Sequence, residues 1–444
     1  MDTLTKLNLV GSQMGLEPAE DADAVRRPTG FVPLSAITDS SVMPRWSGMA
    51  RPNASPADPG LYGKAPCGHA PADLKAAMDT VTRDGGDPAP TLASKKHSLG
   101  ISYAVMPGGG KMPMLKTLLT SACERDCFYC PFRARRNFRR ATFKPEEMAN
   151  VFGQMYRAGM VKGLFLSSGI AGGGVRTQDR LLDTVNILRK KQGYGDFLHL
   201  KLMPGAEKEQ VREAMRLANR ISVNLEAPNT ERLRHLAPHK IFIEELLQPL
   251  KWAHEIRSAE LPHSAFAGRW PSLVTQFVVG AAGENDLEIM TTTSYLTQKL
   301  RLARVYFSAF HPVPDTPLEN HAPENPWREH RLYQASFLLR DYGFELEDLP
   351  FSQRGHLPLE RDPKLAWAEQ NLSDAPVELN RAEKRELLRV PGIGPKGAEA
   401  IIQARRQGKL RELRDLKALG ILAARAAPFI LLNGKQPARQ LQLL

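Results

Sequence analysis

Thr120-Ser121-Ala122-Cys123-Glu124-Arg125-Asp126-Cys127-Phe128-Tyr129-Cys130 places three of the chain's four cysteines within eight residues. The fourth, Cys67, stands far upstream. Thiolates are soft ligands that suit iron–sulfur clusters or zinc. Steps of four and then three residues set the three sulfurs around one tight loop, where they can converge on a single object. A four-iron cluster usually takes four thiolates, so three leave one iron with an open position where chemistry can occur. A structural zinc site wants four ligands, and Cys67 or His69 could complete one. A disulfide within the loop is disfavoured, because a cysteine-poor chain without a secretion signal is expected to keep its thiols reduced.

The cysteine loop stands near the start of a regular alternation. Apolar runs that read as strands cover residues 114–121, 163–169, 197–203, 220–226, 273–280 and 304–311. Helical periods fall at 145–160, 177–191, 207–220, 243–258, 285–302 and 327–342. Pro145 suits a first helical position, and Glu146 and Glu147 favour the first turn. Six strand–helix units predict an α/β fold with a parallel sheet, which right-handed crossovers curl into a barrel or partial barrel. Upstream, residues 101–106 and the run Pro107-Gly108-Gly109-Gly110 predict a hairpin leading into the first main strand.

Two strands indicate what the interior is for. Leu198, Leu200 and Leu202 alternate with His199, Lys201 and Met203; Ile221, Val223 and Leu225 alternate with Ser222, Asn224 and Glu226. Period two sends each set to its own face. The apolar set must pack under helices, so the polar set lines the lumen. A closed barrel core would be filled with branched apolar side chains instead, so this lumen reads as a binding cavity.

At 444 residues, 42% hydrophobic and 24% charged, the chain reads as soluble and globular with two or three domains. It holds no apolar run of membrane-spanning length, and its acidic N-terminal region argues against a targeting peptide. The expected compartment is the cytoplasm. The net charge of +12 is unevenly placed. Arg381 to Leu444 carries 14 Lys/Arg against 5 Asp/Glu, and Pro131 to Lys144 adds Arg133, Arg135, Arg136, Arg139, Arg140 and Lys144 without an acid. Basic charge concentrated in this way points to a polyanion such as nucleic acid. Phe132, Phe138 and Phe143 lie among those arginines, either to stack on bases or to anchor the loop.

The C-x3-C-x2-C pattern, with the aromatic Tyr129 before its last cysteine, resembles the signature of radical S-adenosylmethionine enzymes. The resemblance spans about residues 113–345 and implies a partial (β/α)6 barrel. It implies that Cys123, Cys127 and Cys130 hold a [4Fe–4S] cluster whose fourth iron is chelated by S-adenosylmethionine. One-electron cleavage would then give a 5′-deoxyadenosyl radical, with flavodoxin or ferredoxin as the kind of electron donor required. Ser167-Ser168-Gly169 occupies the family's turn for the methionine amino group, without its glutamate. Asn224 and Glu226 match a ribose-binding pattern. The stretch Val279 to Glu284, including Gly283, resembles the family's adenine-flanking glycines. Lys201 could pair with the cofactor carboxylate, a substrate phosphate or Glu226, and Cys67 could return a hydrogen atom to product. Ala171 to Gly174 reads as a plain loop.

Near the C-terminus, Val390-Pro391-Gly392-Ile393-Gly394-Pro395-Lys396-Gly397 between two helical periods is similar to the helix–hairpin–helix of DNA-binding and repair proteins. Glycines let backbone approach a phosphate, and amides at the start of the second helix favour an anion. A weaker second hairpin surrounds Gly420. The expected organisation is a disordered tail (1–60), an extension with a hairpin (61–112), the partial barrel (113–345), a linker (346–380) and an all-α helix–hairpin–helix domain (381–435). The combination resembles DNA modification or repair radical S-adenosylmethionine proteins. DNA would be gripped through its phosphates without reading sequence, with Arg133, Arg135, Arg136, Arg139 and Arg140 guiding a strand to the barrel. An RNA-modifying enzyme, a protein maturase docked by its hairpins and a zinc-stabilised DNA-binding protein stay open as alternatives.

Overall fold

The computed structural model describes residues 1–14, 99–105 and 110–437. Helix α1 spans Thr3–Gln13; β1 (Ile101–Val105) and β2 (Lys111–Leu118) follow. Then come α2 (Pro145–Arg157), β3 (Gly163–Ser167), α3 (Gly174–Asn186), β4 (Leu198–Lys201), α4 (Lys208–Leu217), β5 (Arg220–Ser222), α5 (Thr230–Leu236), α6 (Gln248–Ala259), β6 (Ser272–Val279), α7 (Asp286–Gln298), β7 (Arg304–Ala309) and α8 (Pro326–Asp341). The C-terminal part holds α9 (Pro363–Asn371), β8 (Val377–Glu378), α10 (Lys384–Arg389), α11 (Pro395–Gln407), α12 (Leu413–Ala418), α13 (Ala423–Ala426) and β9 (Ile430–Leu431).

Strands β1 to β7 form one sheet in sequence order. β1 pairs antiparallel with β2, and every later pair is parallel. With helices returning between the parallel strands, the sheet curls into a half-barrel. The alternation read from β4 and β5 holds. Leu198, Leu200, Leu202, Ile221, Val223 and Leu225 are all buried. On the other face the His199 imidazole meets Ser222 Oγ at 2.9 Å and stands edge-on to Phe165. The helices dock by the same periodic logic. On α2, Met148, Val151, Phe152 and Met155 turn inward, a stripe at i, i+3, i+4 and i+7. Burying a side chain such as Phe152 contributes about 1.5–3 kcal/mol.

Two expectations need correction. The tail of residues 1–60 does not begin disordered, because α1 is capped by Asp2 and buries Leu7 and Val10. Its Lys6 pairs with Glu147 at 2.8 Å and Gln13 donates to the Arg139 carbonyl. Leu7, Val10 and Met14 share one helical face, a signal hidden by the Pro- and Ser-rich sequence that follows. The expected linker of residues 346–380 contains α9, capped by Asp362, and β8, which pairs with β9. Ala368 and Leu372 belong to the apolar core of the C-terminal helices. Cys67, His69 and the hairpin turn at 106–109 lie outside the described residues.

Candidate cluster site and nucleic-acid interface

The cysteine loop leaves the C-terminal end of β2 and is stitched to its neighbours through backbone. Leu119 N–H donates to Ser167 O, Gly169 N–H to Thr120 O, Glu124 N–H to Ile170 O and Phe128 N–H to Leu236 O, all at 2.7–2.8 Å. Gly169 must be glycine, because a Cβ there would stand 2.3 Å from Ala122 O. Of the three residues between Cys123 and Cys127, Glu124 holds one wall, and Arg125 and Asp126 hold another. The Glu124 carboxylate accepts the amides of Gly172 and Gly173 at 3.0 and 3.1 Å. Arg125 pairs with Glu245 at 2.6 Å. Asp126 meets His239 Nδ1 at 2.8 Å. Residues 171–174 therefore form a seat for Glu124. Three consecutive charges inside a loop that must pack between two walls were the available signal for this stitching.

Cys123, Cys127 and Cys130 are free thiols, Cys127 buried and the others half-buried. Burial pushes the Cys127 thiol up, while Lys240 pulls it down. Burial and then the neighbouring Cys127 and Cys123 also raise Cys130, which accepts the Phe132 N–H at 3.4 Å. Three crowded sulfurs of this kind call for a bound cation. A four-iron cluster engages each thiolate through a separate iron. The donor set fits the cluster.

Beside the loop, Glu226 has the left-handed φ of +65°, uncommon for a residue with a side chain and frequent at functional sites. Its carboxylate receives Lys240 Nζ at 3.1 Å and the Tyr129 hydroxyl. Desolvation, with Glu226 adding, holds that hydroxyl well above its ordinary range. Burial opposes the charge on Lys240, yet Cys127 and Glu226 hold its ammonium above the usual lysine value. Lys240 is a partner of Glu226 that the sequence reading did not name. No sequence signal marks it, since it is one cation in the loop after α5.

The polar face below gathers Lys201 and Lys116, their ammoniums 5.9 and 5.7 Å from the Phe165 ring centroid. Burial first, then Arg220, Lys201 and Lys116, push His199 well below the ordinary imidazole range. Asn224 falls between Ser222 and Glu226, half-buried. Ser167 is buried, and Ser168 Oγ donates to Gly169 O at 2.7 Å. Gly283 has a φ of +70°, and the preceding turn is shaped by Glu284, which accepts the Gly280 and Ala282 amides at 2.5 and 3.1 Å.

The arginines after the loop divide into two groups. Arg140 donates to the carbonyls of Ser121, Phe132, Arg133 and Arg136 and stacks 4.1 Å from Phe138. Arg133 donates to Asp126 O, and Arg136 to Pro131 O and Pro314 O. These three shape the loop. Arg135 and Arg139 are exposed. Phe132 and Phe143 are buried anchors.

In the C-terminal hairpin, Gly392 has a φ of +85° and packs where a Cβ would reach Leu422 O at 2.7 Å. Ile393 is buried, Lys396 is exposed, and α11 starts at Pro395 with its first amides outside the helical ladder. A Cβ on Gly397 would meet Ile421 at 3.2 Å, so this glycine also serves hairpin packing. Gly420 and Ile421 repeat the turn, with exposed Leu422 where the first hairpin has Gly394. The hairpin is fastened to the barrel. Lys364 Nζ donates to Ile393 O at 2.6 Å, over the Tyr342 ring. Arg389 stacks on Phe344 at 3.9 Å and on Trp367 at 4.8 Å, and pairs with Asp348.

The sequence profile of the Radical SAM superfamily matches residues 117–296, and that of a helix-hairpin-helix motif matches 373–425. No curated protein matches the chain. Solved structures with a similar fold include methylornithine synthase (PylB), 16% identical with a TM-score of 0.40 over 51% of this chain and 61% of that one. Another is the FeFe-hydrogenase maturase HydG from Carboxydothermus hydrogenoformans, 14% identical with a TM-score of 0.40 over 51% of each chain. A radical SAM methyltransferase from Sphaerobacter thermophilus is 15% identical, with a TM-score of 0.37 over 61% of this chain and 79% of that one. The chain thus spans under two thirds of the length of the first two. Among the described residues no helix is long and apolar enough to cross a membrane. The chain thus carries a match to the Radical SAM superfamily at residues 117–296 and to a helix-hairpin-helix motif at 373–425.

Proposed function

We propose that this chain is a radical S-adenosylmethionine enzyme that modifies or repairs DNA. When bound, the [4Fe–4S] cluster and S-adenosylmethionine supply a 5′-deoxyadenosyl radical that takes a hydrogen atom, given an electron from a cytoplasmic reductant of the flavodoxin or ferredoxin kind. Cys123, Cys127 and Cys130 would hold the cluster. Glu124, Arg125 and Asp126 fix the loop that carries them, and the Phe132 amide steadies the Cys130 sulfur. Tyr129, Ser167, Ser168, Gly169, Asn224, Glu226 and Gly283 would surround the methionine and adenosine parts, with Lys240 holding the Glu226 carboxylate in place.

A base turned out of the stack would enter the polar face. There His199, neutral near pH 7, Ser222 and buried Gln276 can hydrogen-bond its edge. The observation that carries the DNA reading is the glycine-turn hairpin opening the 13-residue α11 with exposed Lys396 beside it. Backbone amides and a lysine there suit phosphate irrespective of sequence. The test is anaerobic incubation of reconstituted protein with S-adenosylmethionine, reductant and duplex DNA, single-stranded DNA or RNA. Liberated nucleosides and 5′-deoxyadenosine are then quantified by mass spectrometry. DNA-dependent 5′-deoxyadenosine with a new nucleoside mass is expected. Stimulation by RNA alone, or by no nucleic acid, would transfer the site to an RNA or protein substrate.

A further inference from the structure

The hairpin and the cysteine loop sit at opposite ends of the barrel. Helix α8 shows this directly. At its start, Glu329 accepts the amide of Ala309, the last residue of β7. At its end, Arg340 donates to Ala303 O, just before β7 begins. The cysteine loop, the Gly169 turn and Glu226 all follow the C-terminal ends of their strands, on the side where α8 starts. The hairpin lies on the other side. Gly394 comes against the Tyr342 hydroxyl, and Lys364 Nζ bridges the Tyr342 ring and Ile393 O. A cleft of about 440 Å³ lined by Phe337, Arg340, Asp341, Tyr342 and Pro395 opens between α8 and the hairpin.

With 16 residues, α8 is about 24 Å long at ~1.5 Å per residue. A single base or nucleotide cannot touch both ends. Duplex DNA rising ~3.4 Å per base pair covers that span in about seven base pairs.

We infer that the enzyme engages DNA at two places about seven base pairs apart or more, the hairpin gripping backbone remote from the residue that reacts and the exposed Arg135 and Arg139 holding it beside the cysteine loop. This rests on the reading that the substrate is DNA. It makes the hairpin a tether that raises the local concentration of target DNA, leaving recognition of the reacting residue to the barrel's polar face. Linked sites gain affinity only when one ligand spans both, so length is the diagnostic variable.

The experiment measures fluorescence anisotropy of reconstituted protein with duplexes of 6 to 30 base pairs, for wild type, Lys396→Glu and Arg135→Glu/Arg139→Glu. Wild-type affinity is expected to rise at least tenfold in a step between about 6 and 12 base pairs, and either variant should abolish the step. Circular dichroism and iron content, unchanged in both variants, exclude misfolding as the cause. A smooth, stepless rise with length, or a step that survives Arg135→Glu/Arg139→Glu, overturns the two-place arrangement while leaving DNA as substrate. Failure of every duplex, and of the matching single strands titrated alongside, to bind removes the DNA reading itself, and the inference with it.

Discussion

Lys240 Nζ lies 3.1 Å from Glu226 Oε1, and the two side chains are only 9% and 6% exposed. The pair abuts the loop that carries Cys127 and Cys130, and Glu226 holds a left-handed backbone there. Removing one partner of such a pair leaves a buried charge without compensation, at a cost of about 3–5 kcal/mol. Lys240→Met should therefore lower the denaturation midpoint strongly, and Lys240→Met/Glu226→Gln should recover part of the loss. Equal midpoints for wild type and Lys240→Met would show that the pair contributes nothing to the fold.

Cys127 is the most enclosed of the three thiols. Cys127→Ala should drop iron and acid-labile sulfide far below wild type after anaerobic reconstitution and erase the visible charge-transfer absorbance. Chelator treatment of wild type should do the same. A variant that retained full iron and sulfide would remove Cys127 from the ligand set, and stoichiometric zinc in place of iron would replace the cluster by a zinc site.

Glu124 accepts two glycine amides from the facing loop. Glu124→Ala leaves both without that partner, at about 1–2 kcal/mol allowing for their exposure to water. Iron release to a chelator should quicken severalfold relative to wild type, whereas Glu146→Ala, in the first turn of α2, should not alter it. Unchanged release in Glu124→Ala would make the contact incidental.

Lys364 is buried against Ile393 O, and burial, opposed by Asp362 and reinforced by Arg425, lowers its amine from 10.5 to about 7. Between those values the unfolded chain holds a proton that the native state lacks, so stability from this group rises with pH across that window. It is flat below about pH 7. Melting temperatures at pH 6.5, 8 and 9.5 should climb in wild type and climb less in Lys364→Met. Identical slopes in the two proteins would contradict this assignment.

Lys396 is exposed at the start of α11. Lys396→Ala should weaken duplex binding by a similar factor for unrelated sequences and shrink the slope of log affinity against log salt by about one. A loss confined to one sequence would mean base readout instead of backbone contact.

Much of this was legible in order along the chain. Hydrophobic alternation marked β4 and β5 because a sheet with one face under helices imposes period two, and Cys123, Cys127 and Cys130 declared a soft-metal loop by spacing alone. The arginines after that loop read as a uniform basic patch. Three of them instead spend their donors on carbonyls, because a loop with little regular structure leaves carbonyls that a guanidinium can collect in a fan.

The sequence by itself determined the six strand–helix units, the thiolate loop and the glycine-turn hairpin, since each depends on residues close together in the chain. Tertiary structure alone decided that Lys240 reaches Glu226, that Glu124 fills the glycine seat, and that the hairpin docks at the end of α8 away from the cysteines. Those outcomes join segments whose approach is set by sheet curvature and helix return, which no local spacing encodes.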